Sequence, residues 1–115
     1  HEKNRKIEDF YPWGTQWPPP KGVGNYDVSL EVDYYDNTSP VGSFPANKTG
    51  LYDMGGNVWQ WCEDWYDGVN KCRVVRGGAW GSYAPENLWS STRGSDNPDY
   101  RDNSYGFRCV LAPRQ

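Results

Sequence analysis

Histidine is almost missing from this chain: His1 is the only one in 115 residues. A serine–histidine triad, a histidine general base and a zinc site built from Cys and His all need more than that. Cysteine is sparse as well, limited to Cys62, Cys72 and Cys109, with no Cys-x-x-Cys pair. Cys62 and Cys72 are spaced either to close a short loop or to stay as free buried thiols, and spacing alone leaves both open. Phosphate-cradling glycine loops and the Gly-x-Ser-x-Gly elbow are absent. No apolar run approaches the roughly 20 residues of a membrane helix. No leader peptide is legible, so localisation stays open between cytoplasm and secretion. The net charge is −3 and the basic residues are scattered apart from Lys3, Arg5 and Lys6, so neither nucleic acid nor membrane is an expected partner.

What the chain has instead is aromatic rings and chain-bending residues. Seven Trp and nine Tyr raise aromatics to 17% while the whole apolar fraction is only 36%, so the core is expected to be a few large rings. Thirteen Gly and nine Pro argue against long helices and for one loop-rich domain. Residues 1–10 read as a polar lead-in and 11–115 as the domain.

The densest segment is Gly50-Leu51-Tyr52-Asp53-Met54-Gly55-Gly56-Asn57-Val58-Trp59-Gln60-Trp61-Cys62-Glu63-Asp64-Trp65-Tyr66. It predicts a tight irregular loop pinned by buried Trp59, Trp61 and Trp65. Val58 to Tyr66 reads as a strand that bends, Asp67-Gly68 as a turn, and Cys72 to Val75 as the returning strand. Tyr105 to Leu111 alternates apolar and polar residues and predicts a further strand. Thr38 to Pro45 reads as an extended segment, and Glu86 to Ser91 as a short helical or extended piece. Asn37 and Asn47 open two glycosylation-type triplets of a kind common by chance.

Carboxylates are plentiful: Glu63/Asp64, Asp33/Asp36 and Asp96/Asp99/Asp102. A glycosidase needs two of them facing each other, and sequence cannot place them so. Calcium suits the oxygen inventory better, because it takes six to eight oxygens and accepts loop carbonyls. Asn25, Asp33 and Asp53 sit among Gly, Asn and Tyr, where turn formation is the competing explanation.

Five segments in order carry a resemblance. They are Tyr-Pro-Trp-Gly at 11–14, Ser-Pro-Val-Gly-Ser-Phe-Pro-Ala-Asn at 39–47, Gly-Leu-Tyr-Asp-Met-Gly-Gly-Asn-Val-Trp-Gln-Trp at 50–61, Arg-Val-Val-Arg-Gly-Gly-Ala-Trp at 73–80 and Gly-Phe-Arg-Cys at 106–109. Together they resemble the formylglycine-generating enzyme (sulfatase-modifying factor) family over residues 11–111. The resemblance implies an irregular, loop-rich α+β domain of the C-type-lectin-like kind, with short antiparallel strands and few helices. The family's Leu-Pro-Thr-Glu-Ala-Glu-Trp-Glu stretch does not precede Tyr11, so the N-terminal part of the domain is expected to be missing. The resemblance also implies calcium. A first site corresponds to Asn25, Tyr26, Asp33 and Tyr35, and a second to Asp53, Gly56, Val58 and Gln60. The family's acid stands as Gln60, so the second site is expected to be weaker or empty.

The family's oxidases hold copper on two cysteines that follow the Arg-Gly-Gly-Ser motif. Residues 81–93 contain no cysteine, Ser82 and Asn87 fall where the pair is expected, and the motif's serine is Ala79. No copper is therefore expected, no catalytic residue is assigned, and the resemblance points away from catalysis. Non-catalytic relatives use this stretch as a binding face rich in Tyr, Asn and Ser, which implies a face of Ser82, Tyr83, Asn87, Trp89, Arg93, Tyr100 and Arg101 here. The same residues also suit a solvated supporting loop. The expectation is a calcium-stabilised binding or scaffold module for a protein, peptide or sugar, with a homodimer as a further expectation from exposed aromatic surface. The rival is a divergent oxidase, or a half-domain completed by a partner.

Overall fold

The computed structural model describes residues 7–69 and 71–111. Four short strands form one sheet: β1 (Trp59–Trp65), β2 (Arg73–Arg76), β3 (Gly94–Asp96) and β4 (Tyr105–Gly106), in the order β3-β2-β1-β4. β2 runs antiparallel to both β1 and β3, and β4 runs parallel to β1, so the sheet is mixed. A single-turn 3-10 helix at Val28–Leu30 and a single-turn α-helix, α1 (Pro85–Leu88), are the only helices among the described residues. This is the loop-rich α+β architecture that the glycine and proline content predicts.

β2 is the sheet's buried centre. Val74 and Val75 are both buried, and because neighbours on a strand point to opposite faces, both faces of β2 are covered there. Gly94 on β3 makes room for this: a Cβ at that position would stand 2.9 Å from Val75 Cγ2. β1 pairs Gln60 with Arg76, Trp61 with Val75 and Trp65 with Arg73, so an irregularity lies between Trp61 and Trp65. Beyond it, Tyr66 N–H donates to the Cys72 carbonyl at 2.8 Å. Cys72 therefore meets Tyr66 and not Cys62, and none of the three cysteines is joined in a disulfide.

A second core lies away from the sheet. Tyr11, Tyr26, Val32 and Leu88 are buried together, with Trp13, Val23, Leu30 and Trp89 packed around them. Tyr11 stacks on Trp13 at 4.9 Å between centroids, and Trp13 meets Tyr26 edge-on at 5.5 Å. Large rings do build this core, as expected, although tyrosines hold its centre.

Three expectations are corrected. The indoles of the 59–65 segment are not buried: Trp59 and Trp61 are half-covered and Trp65 is 49% exposed. What covers Trp65 is a guanidinium, with Arg73 3.5 Å above its ring centroid. The strand expected over Tyr105 to Leu111 stops after Gly106, and Phe107 and Leu111 are 76% and 98% exposed. Alternation predicts a strand only where a neighbouring strand accepts its hydrogen bonds, and among the described residues none runs beside 107–111. Thr38 to Pro45 is not extended either. It turns at Gly42, with Ser43 N–H donating to the Pro40 carbonyl at 3.3 Å.

Of the polar lead-in, residues 1–6 lie outside the described residues. Residues 7–10 are tied down, because Ile7 N–H donates to Ser91 Oγ at 2.8 Å and Ser90 N–H donates to the Phe10 carbonyl at 2.7 Å.

Candidate functional site

The first oxygen cluster is built by a chain reversal. Asp27 caps the 3-10 helix, its Oδ1 accepting from Ser29 N–H at 2.9 Å. Glu31 takes a left-handed conformation at φ 56° and turns the chain back. The reversal returns Asp33 beneath Tyr26. Asp33 Oδ2 accepts from Tyr26 N–H at 2.9 Å, and Asp33 Oδ1 accepts from Tyr35 N–H at 2.8 Å. The carboxylate thus ties the backbone N–H groups of Tyr26 and Tyr35 together.

Asn25, one residue away, is 0% exposed. Its Nδ2 donates to the Asn37 carbonyl at 2.7 Å and reaches Ser39 Oγ at 3.2 Å and Asn57 Oδ1 at 3.4 Å. Its Oδ1 is buried with no hydrogen-bond partner. A bare amide oxygen costs about 1–3 kcal/mol when nothing compensates it. A buried amide oxygen without a donor is a ligand type that a hard cation such as Ca²⁺ accepts.

The second cluster is arranged differently. Asp53 takes φ 53°, and its Oδ2 accepts from Gly42 N–H at 2.9 Å while Oδ1 is buried without a partner. Gly56, at φ 76°, donates its N–H to the Gly77 carbonyl at 2.8 Å. A Cβ on Gly56 would stand 2.6 Å from the Asn25 carbonyl, so only glycine fits. Val58 is half-buried, with Cγ2 against Gly106. Gln60 is fully engaged: Nε2 donates to the Asp53 carbonyl at 2.6 Å, and Oε1 accepts from Arg108 Nε at 2.7 Å. With its side-chain oxygen held by a guanidinium, this set does not fit a divalent cation. Tyr26 lies between the clusters. Burial, and then the negative charge of Asp53, raises its phenol above the ordinary tyrosine value.

The Ser82 hydroxyl and the Asn87 backbone carbonyl both lie close to Gly78. A Cβ on Gly78 would stand 3.5 Å from Ser82 Oγ and 3.4 Å from the Asn87 carbonyl. Ser82 does not face outward. It is buried, its Oγ accepts from Ala79 N–H at 2.9 Å, and its carbonyl accepts from Asp27 N–H at 3.0 Å. Trp89 packs against the aromatic core. Arg93 stands 4.7 Å over the Tyr66 ring and donates to the Tyr66 carbonyl at 3.2 Å. Tyr83, Asn87, Tyr100 and Arg101 are exposed, with Tyr83 at 64%. Tyr100 rests edge-on against Tyr105 at 5.2 Å.

Three residues at these clusters were not picked out from the sequence. Ser39 and Asn57 join the Asn25 knot, with Ser39 N–H donating to Asn57 Oδ1 at 3.0 Å and Asn57 Nδ2 to the Ser39 carbonyl at 3.2 Å. Arg108 was read as an outer strand residue, yet its NH2 group donates to the carbonyls of Tyr52 at 2.7 Å and Asp53 at 3.0 Å. All three lie inside the quoted motifs. A polar residue held in a motif of Gly and aromatics is the signal that was available.

Comparison with known proteins agrees with this fold. The model of the sulfatase-modifying factor enzyme 1-like domain matches residues 5–113. The chain is 41% identical to the serine/threonine-protein kinase pkn1 of Chlamydia caviae over 110 residues, covering 74% of this chain and 17% of that protein. It is 35% identical to the inactive C-alpha-formylglycine-generating enzyme 2 of Bos taurus over 111 residues, covering 87% of this chain and 36% of that one. The solved structure of PvdO from Pseudomonas aeruginosa superposes with a TM-score of 0.65 at 31% identity, over 82% of this chain and 44% of that one. The chain therefore spans well under half the length of each of these three relatives.

Proposed function

This chain belongs to the sulfatase-modifying factor family, and from that premise we propose that it is a non-catalytic binding or scaffold module stabilised by calcium at Asn25, Tyr26, Asp33 and Tyr35. The observation that carries the reading is the pair Ser82 and Asn87. A soft metal would need thiolates at these positions, and the chain supplies a hydroxyl at 82 and an amide residue at 87 instead. The Ser82 hydroxyl is committed to the Ala79 N–H. The half-buried thiol of Cys62 lies on β1, and burial raises its pKa, which keeps it protonated and a poor metal ligand. The bovine relative is itself named inactive.

The calcium part rests on the bare, buried Asn25 Oδ1 and on the Asp33 carboxylate that the next residue's N–H holds. The binding part rests on the exposed Tyr83, Asn87, Tyr100 and Arg101, whose ring and hydrogen-bonding chemistry suits a protein, peptide or sugar.

Incubating the chain with copper, oxygen and a cysteine-containing peptide tests the first part. No aldehyde is expected in the peptide, and turnover blocked by thiol alkylation of the chain would reject the reading.

A further inference from the structure

We propose that the Gln60 side-chain amide, backed by the Arg108 guanidinium, replaces a second cation, so that the loop from Tyr52 to Gln60 closes without an ion. The count of one cation for the whole chain rests on the first-site reading above; the replacement itself does not.

Oxygens from two parts of a loop come together only when a positive charge or a proton lies between them. A divalent cation does this by coordination. Here a proton does it, because Gln60 Nε2 donates to the Asp53 carbonyl at 2.6 Å. The other end of the same amide, Oε1, accepts from Arg108 Nε at 2.7 Å. The Arg108 NH2 group continues to the carbonyls of Tyr52 at 2.7 Å and Asp53 at 3.0 Å. One guanidinium therefore ties three oxygens of a single loop, in the fork geometry that arginine holds and lysine does not.

The amide's orientation follows from its partners. Turned over, Gln60 would face a carbonyl oxygen with its own oxygen and a guanidinium with its own NH₂ group, losing both hydrogen bonds. What the cluster leaves for a dication is the bare Asp53 Oδ1 and loop carbonyls, next to a fixed positive charge. That falls short of six to eight oxygens.

A glutamate at position 60 reverses the arrangement. It cannot donate to the Asp53 carbonyl, so two oxygens face each other and the closure needs an ion.

The test counts calcium ions by native mass spectrometry and follows melting in EGTA and in calcium, for the wild type, Gln60→Glu, Gln60→Met and Asn25→Ala. Gln60→Glu is expected to bind one ion more than the wild type and to lose more melting temperature in EGTA. Gln60→Met, which keeps neither hydrogen bond, is expected to melt lower than the wild type by the same amount with and without calcium. On the Asn25→Ala background, Gln60→Glu is still expected to gain its ion. A wild type that binds no calcium therefore rejects the first-site reading while leaving this difference of one ion to be judged. A wild type that binds two ions and loses one on Asp53→Asn overturns the proposal. So does Gln60→Glu gaining no ion, or failing to fold in millimolar calcium.

Discussion

Asn57 N–H donates to the Asn25 carbonyl at 2.8 Å, and the side chains of the two residues meet at 3.4 Å although they stand 32 positions apart. This contact locks the reversal that carries Asp33 to the glycine-rich loop that carries Asp53. Asn57 sits at φ 67°, a left-handed conformation that Asn tolerates better than most residues. Its side chain serves Ser39 on both edges, and its carbonyl accepts from Trp80 N–H at 2.9 Å. One asparagine thus links four loop segments, doing the work that a larger hydrophobic core would otherwise do.

Substitution at Asn57 is expected to be costly even when conservative. Asn57→Asp replaces a donor by an oxygen facing the Ser39 carbonyl in a buried site. A loss of about 2–4 kcal/mol is expected. Chemical denaturation should show this as a lower midpoint with unchanged slope.

Gly56 should tolerate no side chain. Its φ is 76°, and an added Cβ would stand 2.6 Å from the Asn25 carbonyl. Gly56→Ala is expected to cost about 2–3 kcal/mol. Gly68, where a Cβ meets nothing within 4 Å, is the control, and Gly68→Ala should change stability by less than about 1 kcal/mol.

If Ser82 and Asn87 occupy the family's copper positions, restoring thiols there should restore metal binding. Ser82→Cys with Asn87→Cys is expected to bind one Cu(I) more tightly than the wild type in a competition titration. Equal affinity in the two proteins would show that these are not the family's copper positions.

Stability should fall at alkaline pH. The Tyr105 hydroxyl donates to Asp96 Oδ2 at 2.9 Å. Burial first, then that bond and the Asp96 charge, push its phenol from 10.0 to about 12. Tyr26 is raised in the same direction, chiefly by burial. Both neutral phenols favour the folded state, so their contribution is complete below the unfolded value of 10.0; that of Tyr105 is lost as pH rises through about 12, and that of Tyr26 is lost in the same direction. Tyr11 is also raised, chiefly by burial, so tyrosinate absorbance should show Tyr11, Tyr26 and Tyr105 ionising late, with the titration of the last two coinciding with loss of near-ultraviolet circular dichroism.

The parts of the fold that were legible in the sequence are those fixed locally. Val74 and Val75 are β-branched and sit between turn residues, so β2 falls where expected, and the Gly55–Asn57 loop declares itself by composition. The failures come from partners that sequence does not name. Phe107, Cys109 and Leu111 alternate like a strand but find no strand to pair with among the described residues. Trp65 reads as core, yet a guanidinium covers it. At the site, Asn25 and Asp33 were named as one set by resemblance alone. Arg108 was not picked out, because its role depends on carbonyls 55 and 56 positions away.

Calcium-dependent melting of the wild type and of Asp33→Ala tests the central claim most directly. The account predicts that saturating calcium stabilises the wild type by about 2.7 kcal/mol at a hundredfold excess over Kd. For a domain of this size that is a rise on the order of 10 °C over EGTA. The Asp33→Ala protein, already weakened by the loss of two backbone hydrogen bonds, should melt at the same temperature in both conditions. A wild type that melts identically with and without calcium, or an Asp33→Ala protein that keeps the full shift, would contradict it.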